Sequence, residues 1–445
     1  MSAVHSHPPI QAFHDLFART TGALAGGKGA LTGFRQKRFD SFVRAGFPSQ
    51  RTEAWKFTNI ARHANVPMVL APNTEIAVND YSAWFCGGHA ARRMLFANGH
   101  HQPDLSHVRG MPAGASMRSL DKALDDSDVR ESITAFDDGR SFTDLNAALM
   151  QSGAVIDVGD GVHVDFPLQL LFATTTYQSA SSMSHPRILV RLGKGARLHL
   201  VETHTAIRDG ASFTNLVSQI ELGEGAELVH DRLQFGRDGT TIVSKADMRL
   251  HKDARIRQTL VTLGGAMIRN ESEVHLDGTG IDAQLNGTFM PTAREHVDNM
   301  IRIHHLQPDC HSDQFYKGVM DGHGRGVFAG KIVVHPDAQK TNAFQTNNNL
   351  LLSDDAEIDS KPELEIYADD VKCSHGATCG DLDETSLFYL RSRGLDEGTA
   401  RSMLTYAFAG EVIERLADHG ARQLGMRQVF SRLPGGDSLA GMLGE

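Results

Sequence analysis

Cysteine is scarce in this chain. Four thiols in 445 residues, Cys86, Cys310, Cys373 and Cys379, are too few for a disulfide framework, so the sequence predicts a cytoplasmic protein with reduced thiols. Basic charge is also short. There are 44 Lys and Arg against 54 Asp and Glu, for a net charge of −10, which argues against a nucleic-acid or anionic-membrane surface. No apolar run approaches the ~18 residues of a membrane-spanning helix. Aromatics, at 7% of residues, are too sparse for a membrane barrel. The opening MSAVHSHPPIQAF has neither the basic start nor the apolar core of a secretory signal. A P-loop and a dinucleotide fingerprint are absent too, and the glycines of DGHGRG (321–326) are not followed by a helical pattern, so the chain is not expected to bind ATP itself.

What is present falls into three textures. Residues 1–152 read as a mostly helical domain with a small strand insertion. PPIQAFHDLFARTTGALA sets Ile10, Phe13, Leu16 and Phe17 on one face. ALTGFRQKRFDSFVRAGFPS does the same with Leu31, Phe34, Phe39, Phe42 and Val43, before the stop signals Gly46 and Pro48. RRMLFANGHHQPDLS turns extended, with Asn98-Gly99 as a hairpin turn, and SLDKALDDSDVRES and FTDLNAALMQSG return to helix.

Residues 153–382 change to short alternating segments with an internal repeat. RLGKGARLHLVETH, ELGEGAELVHDRLQF and RLHKDARIRQTLVTL align Ala196, Ala226 and Ala254, 30 and 28 residues apart, with weaker echoes at Cys310, Ala338 and Ala356. Strand-rich units at this period, with no room for crossover helices, predict a β-solenoid, with a β-sandwich as the competing arrangement. TNNNLLL fits a stacked asparagine ladder or a polar loop equally well.

Residues 383–445 are helical again. DETSLFYLRSRG has an acidic start, a basic last turn and Gly394 at its end. DEGTARSMLTYAFAGEVIERLAD places Ala400, Met403, Leu404, Ala407, Phe408 and Val412 at helical spacing, and the tail RLPGGDSLAGMLGE reads as frayed. Such a small appendage buries little alone, so its apolar face is expected to need a partner.

The chemistry concentrates in VKCSHGATCG, residues 371–380. If this stretch is extended, Val371, Cys373 and His375 share one face. A thiolate and an imidazole suit iron or zinc, but two ligands do not fill a site, so others must come from elsewhere or from another chain. From spacing alone a buried cysteine beside a hydrogen-bonded histidine is the plainer reading. A nucleophilic Cys–His pair is disfavoured, since i and i+2 on a strand lie roughly 6–7 Å apart. The cluster His304, His305, Cys310, His311 and His323 fits no zinc or haem spacing and reads as scattered surface and turn histidines. The pairs Asp354-Asp355 and Asp369-Asp370 read as turn acids, although on a solenoid they could serve a carbohydrate-active enzyme.

One block closely resembles a known family. VFAGKIVVHPDAQKTNAFQTNNNLLLSDDAEIDSKPELEIYADDVKCSHGATCGDLDETSLFYLRSRG through YAFAGEVIERL, residues 327–416, is similar to the SufD branch of the SufB/SufD family, components of the SUF iron–sulfur cluster assembly system. PSQRTEAWKFTNI resembles its N-terminal motif, and LFANGH and FTDLNAAL fit more loosely. The SufB branch carries a cysteine after FY, where this chain has Leu390, which cannot ligate iron. The resemblance implies a right-handed parallel β-helix between helical regions and a non-catalytic scaffold that pairs with SufB through the β-helices. It implies that the C-terminal helical region docks the ATPase SufC. It also implies that His375, with Cys373 beside it, contributes to a transient iron or iron–sulfur cluster shared with the partner. No metal is expected to be held stably by the isolated chain, for which a homodimer is possible. No role carries over to Cys379.

Overall fold

The computed structural model describes residues 8–24, 29–61, 68–88, 91–175 and 181–436. From Gly153 to Gly380 the chain winds into a flattened parallel solenoid of about seven coils, each giving one strand to each of two sheets. In the second sheet successive strands start at Arg197, Glu227, Arg255, Asp282, His311, Asn342 and Lys372. Each pairs in parallel with the strand one coil earlier. The first sheet ends in the same way on Glu357–Ile366.

The sequence repeat has a physical origin at one corner of the coil. There Gly195, Gly225, Asp253, Gly280, Asp309 and Lys340 adopt left-handed backbone, with φ between 57° and 73°. The next residue turns inward and is buried: Ala196, Ala226, Ala254, Ile281, Cys310 and Thr341. Glycine takes this conformation at no steric cost and aspartate at little. Two expected echoes are corrected. Ala338 and Ala356 are buried, but Thr341 holds the repeat position where Ala338 was aligned, and Ala356 leads into a strand of the other sheet. Both corners of a coil favour a polar turn followed by a small buried residue, so sequence similarity alone merges them.

Alternate residues of both sheets fill the lumen, among them Leu198, Leu228, Ile256, Met248, Val274 and Ile303. Each buried aliphatic side chain contributes on the order of 1.5–3 kcal/mol. TNNNLLL, except for its last leucine, Leu352, lies within the strand Asn342–Leu351 and not in a turn. Asn347 and Asn349 bond each other, at 2.8 and 3.3 Å, and also donate to backbone carbonyls of the adjoining coils, Asn347 to Tyr316 at 3.4 Å and Asn349 to Thr378 at 3.2 Å. The asparagine step between coils is Asn270 to Asn299, at 3.2 Å.

The outer faces are clothed by the two helical regions. Helices Pro8–Thr20, Thr32–Ala45 and Ser141–Leu149 bring Phe13, Phe17, Phe39, Phe42 and Phe142 onto Phe213, Val243 and Met267 of the first sheet. The side chain of Ile10 lies outside the described residues. The Asn98-Gly99 turn forms as expected, both residues left-handed, with Phe96 opposite His101.

The second sheet is covered by Glu397–Ile413 and by His419–Phe430, a helix unexpected from the sequence. Asp418 caps the latter, accepting from the Ala421 N–H at 2.7 Å. These helices spend their apolar faces on the chain's own Val201, Leu233, Val261 and Val319, which corrects the expectation that the C-terminal face as a whole needs a partner. Ser402, Thr405, Ala409 and Val412 are buried and Ala407 is exposed, because small residues allow the closer approach to the sheet. The tail is not frayed at its start. Arg432 pairs with Glu295 at 2.8 Å and donates to the Met290 carbonyl at 3.2 Å, whereas residues 437–445 lie outside the described residues. Among the described residues no helix is long and apolar enough to cross a membrane.

The two ends of the solenoid differ. At one, the antiparallel strands His100–His101 and Ala115–Ser119 close the sheets. At the other, Glu357–Ile366 and Lys372–Gly380 are the last strands of their sheets, with no further strand paired beyond them among the described residues.

Candidate functional site

The terminal strand Lys372–Gly380 repeats the pleat of the coil beneath it. Cys373, His375 and Cys379 stand in register with Ala343, Gln345 and Asn349, which are buried in the lumen. Among the described residues no coil covers the terminal strand, so the columns that form core elsewhere end in an open mouth. Cys373 is half-buried, while His375 and Cys379 are exposed. Cys373 packs at the rim of Ile332, Val334, Ala338 and Ala343, and burial raises its thiol pKa.

The open edge follows from the hydrogen-bond pattern. Lys372 N–H donates to the Thr341 carbonyl at 2.8 Å. Peptide groups in a parallel strand alternate sides, so Cys373, His375, Ala377 and Cys379 aim their backbone groups away from the fold. In the first sheet, Glu357 N–H and Tyr367 N–H donate inward, at 3.1 and 2.9 Å. Pro362 therefore falls at an outward position and has no N–H to offer. Proline blunts one edge, and the edge carrying His375 is left as a pairing template.

The thiols separate by environment. Burial, with Asp418 adding to it, pushes Cys86 up to about 12, and burial also raises Cys310. Timed iodoacetamide labelling of the native chain, read by mass spectrometry, should modify Cys379 first and Cys373 at least about tenfold more slowly, with Cys86 and Cys310 reacting only after unfolding. Labelling of Cys86 at the rate of Cys379 would contradict the packing described.

The other candidates resolve into structural parts. His305 points into the lumen, bonded with Ser312 at 2.8 Å, and burial lowers its pKa to about 3. His304 is on the outside, stacked against His275 at 5.1 Å and near His335 at 5.7 Å. Cys310 is buried at a corner, His311 lies against Phe344, and His323 is exposed. Among the described residues no group of three or more His, Cys, Asp or Glu is arranged to hold a metal ion. Asp354, Asp355, Asp369 and Asp370 are exposed in turns, as expected of solvated acids.

Two polar clusters escape the sequence. Within the lumen, Glu202 accepts from Arg232 at 2.8 Å and contacts His204 and His230 at 2.6 and 3.2 Å. Burial opposes its ionisation, but Arg232 and the histidines hold it well below the usual carboxylate range. Beneath the N-terminal motif RTEAWKFTN, buried Arg269 pairs with Glu271 and Asp298 and donates to the Ala54 carbonyl at 2.7 Å. Its guanidinium sits 4.0 Å from the Trp55 ring centre. Thr58 donates to Asp298 at 2.5 Å, and Glu53 reaches Lys361 of the last first-sheet strand at 2.6 Å. This motif thus straps the N-terminal region to the solenoid.

One apolar surface is left open by the C-terminal helices. On helix Glu384–Ser392, capped by Asp383, Leu387 is buried but Phe388 and Tyr389 are 73% and 55% exposed.

Comparison with known proteins adds the following. The family model for the SUF system FeS cluster assembly SufBD core domain matches residues 174–408, and that for the SufBD protein N-terminal region matches residues 9–170. The iron–sulfur cluster assembly protein SufD of Escherichia coli is 33% identical over 403 residues, 90% of this chain and 93% of that one. An iron–sulfur cluster assembly SufBD family protein of Synechocystis sp. is 31% identical over 399 residues, 87% of each chain. SufD of Bacillus subtilis is 26% identical over 291 residues, 64% of this chain and 65% of that one.

Proposed function

Because the chain belongs to the SufB/SufD family of iron–sulfur cluster assembly proteins, we propose that it is a non-catalytic scaffold subunit whose open solenoid end pairs with a SufB-type partner. The observation that carries this reading is the exposure of His375 on the lumen face of an uncapped terminal strand. A partner strand added to that edge would roof the mouth. Iron or a nascent cluster, as cargo, would then meet the His375 imidazole from this side and a thiolate from the other, both suited to iron. Cys373, half-buried with a raised pKa, is the weaker second donor. In isolation the same edge can pair with a second copy of the chain, since exposed strand edges are templates. Phe388 and Tyr389 support a second contact, with a SufC-type ATPase. Motion driven by ATP hydrolysis would reach the solenoid through the helices packed on the second sheet.

Ala377→Pro tests the pairing. It removes an N–H from the open edge and leaves the inward ladder intact. When the chain is co-expressed with SufB and SufC from the same source, the variant should fold with an unchanged circular dichroism spectrum yet lose at least about 90% of the co-purifying SufB. Undiminished co-purification would exclude this edge as the interface.

A further inference from the structure

One coil beneath His375 the lumen holds an amide that is only half used. Gln345, 1% exposed, is the register partner of His375. Its Nε2 donates at 3.0 Å to Oε1 of Gln314, its own register partner in the coil before. Its Oε1 has no hydrogen-bond partner among the described residues. The two amide atoms diverge from one carbon, so with Nε2 committed to Gln314 in the coil below, Oε1 is left for a donor from elsewhere, and the register partner in the coil above is His375. The facing sheet makes room for this amide. An added Cβ on Gly330 would come within 2.0 Å of Nε2. A buried carbonyl oxygen without a donor costs free energy, and neighbouring strands lie ~4.8 Å apart, a gap that an amide and an imidazole can bridge.

We propose that Gln345 is a positioning residue for His375, its Oε1 accepting the N–H of one ring nitrogen and so directing the other, with its lone pair, out of the mouth toward the partner subunit. This rests on the reading of His375 as a ligand. A ligating imidazole binds through one nitrogen and gives its other N–H to an oxygen acceptor, which fixes tautomer and ring orientation. His375 sits on an exposed terminal strand, so the buried amide below supplies the orientation that a covering coil would otherwise provide.

The test uses the full-length chain with histidine ring-15N labelling, the His375 signals being assigned by their loss in His375→Asn. At a pH where the imidazole is neutral, wild type should show one dominant tautomer. Gln345→Leu, similar in volume but without an acceptor, should change the tautomer ratio at least threefold. Gln345→Glu, which retains an acceptor oxygen, should keep the wild-type ratio. Gly330→Ala, which displaces the amide without removing it, should reproduce the shift of Gln345→Leu. In complex with SufB and SufC, cluster loading should fall about tenfold in Gln345→Leu and return in Gln345→Glu. The same tautomer ratio in wild type and Gln345→Leu, with circular dichroism unchanged, would overturn the proposal. The ligand reading fails separately, if His375→Ala loads clusters normally.

Discussion

Arg269→Ala should destabilise the chain by about 3–5 kcal/mol, the cost of leaving a buried carboxylate, Asp298, without its cation. Arg269 is fully buried between Glu271 and Asp298 and stacked on Trp55. Its loss would take from Asp298 its ion-pair partner, leave Glu271 to Arg140 alone among its ion pairs, and release the Ala54 carbonyl. Arg269→Lys keeps the charge but not the fork or the stacking, and should recover only part of the loss. The effect has a pH signature. Burial would raise the Glu271 carboxyl, but Arg269, Arg140 and Lys245 overcome it and hold it at about 2. A carboxylate depressed on folding stabilises the native state above its unfolded pKa, near 4.5, and loses that contribution as pH falls toward the folded value. The contribution is roughly 3 kcal/mol at neutral pH. Urea unfolding followed by tryptophan fluorescence should therefore show wild type losing stability between about pH 4.5 and 2, with a smaller loss in Arg269→Ala. A midpoint for Arg269→Ala at pH 7 within the equivalent of about 1 kcal/mol of wild type would refute this account of the strap.

His375→Ala should have the largest functional effect and almost no structural one. The side chain is exposed, so stability should move by no more than about 0.5 kcal/mol, and backbone pairing with a partner strand does not require the imidazole. Removing a ligand costs at least what removing its supporting shell does, about 10–100-fold. Cluster assembly in cells that depend on the SUF complex should fall at least tenfold, while co-purification of SufB and SufC persists. Cys373→Ser should be milder, because that thiol is half-buried and mostly protonated at neutral pH. Assembly at the wild-type level in His375→Ala would remove the histidine from the mechanism.

Much of the fold was legible because its signals are local. Left-handed corners favour Gly or Asp immediately before an inward-turned buried residue, and that preference repeats at Ala196, Ala226 and Ala254. Helix caps such as Asp383, and the Asn98-Gly99 turn, are written in adjacent residues. The helix His419–Phe430 was missed because its apolar face, with Leu424, Gly425 and Val429, is short and diluted by Arg and Gln. Glu202, His204, His230 and Arg232 escaped because charged residues on an alternating strand read as outward. Only their partners on neighbouring coils make the inward placement affordable.

By itself the sequence determined that this chain winds strands into stacked coils between two helical regions, and that Cys373 and His375 share a face. These follow from the pleat and from corner chemistry, which act over a few residues. Only the tertiary structure decided that this face ends in an uncovered mouth, that the other terminal edge is blunted by Pro362, and that Arg269 lies beneath Trp55. Burial and pairing belong to residues brought together from distant coils, and whether one further coil exists to cover a strand is a property of the whole stack.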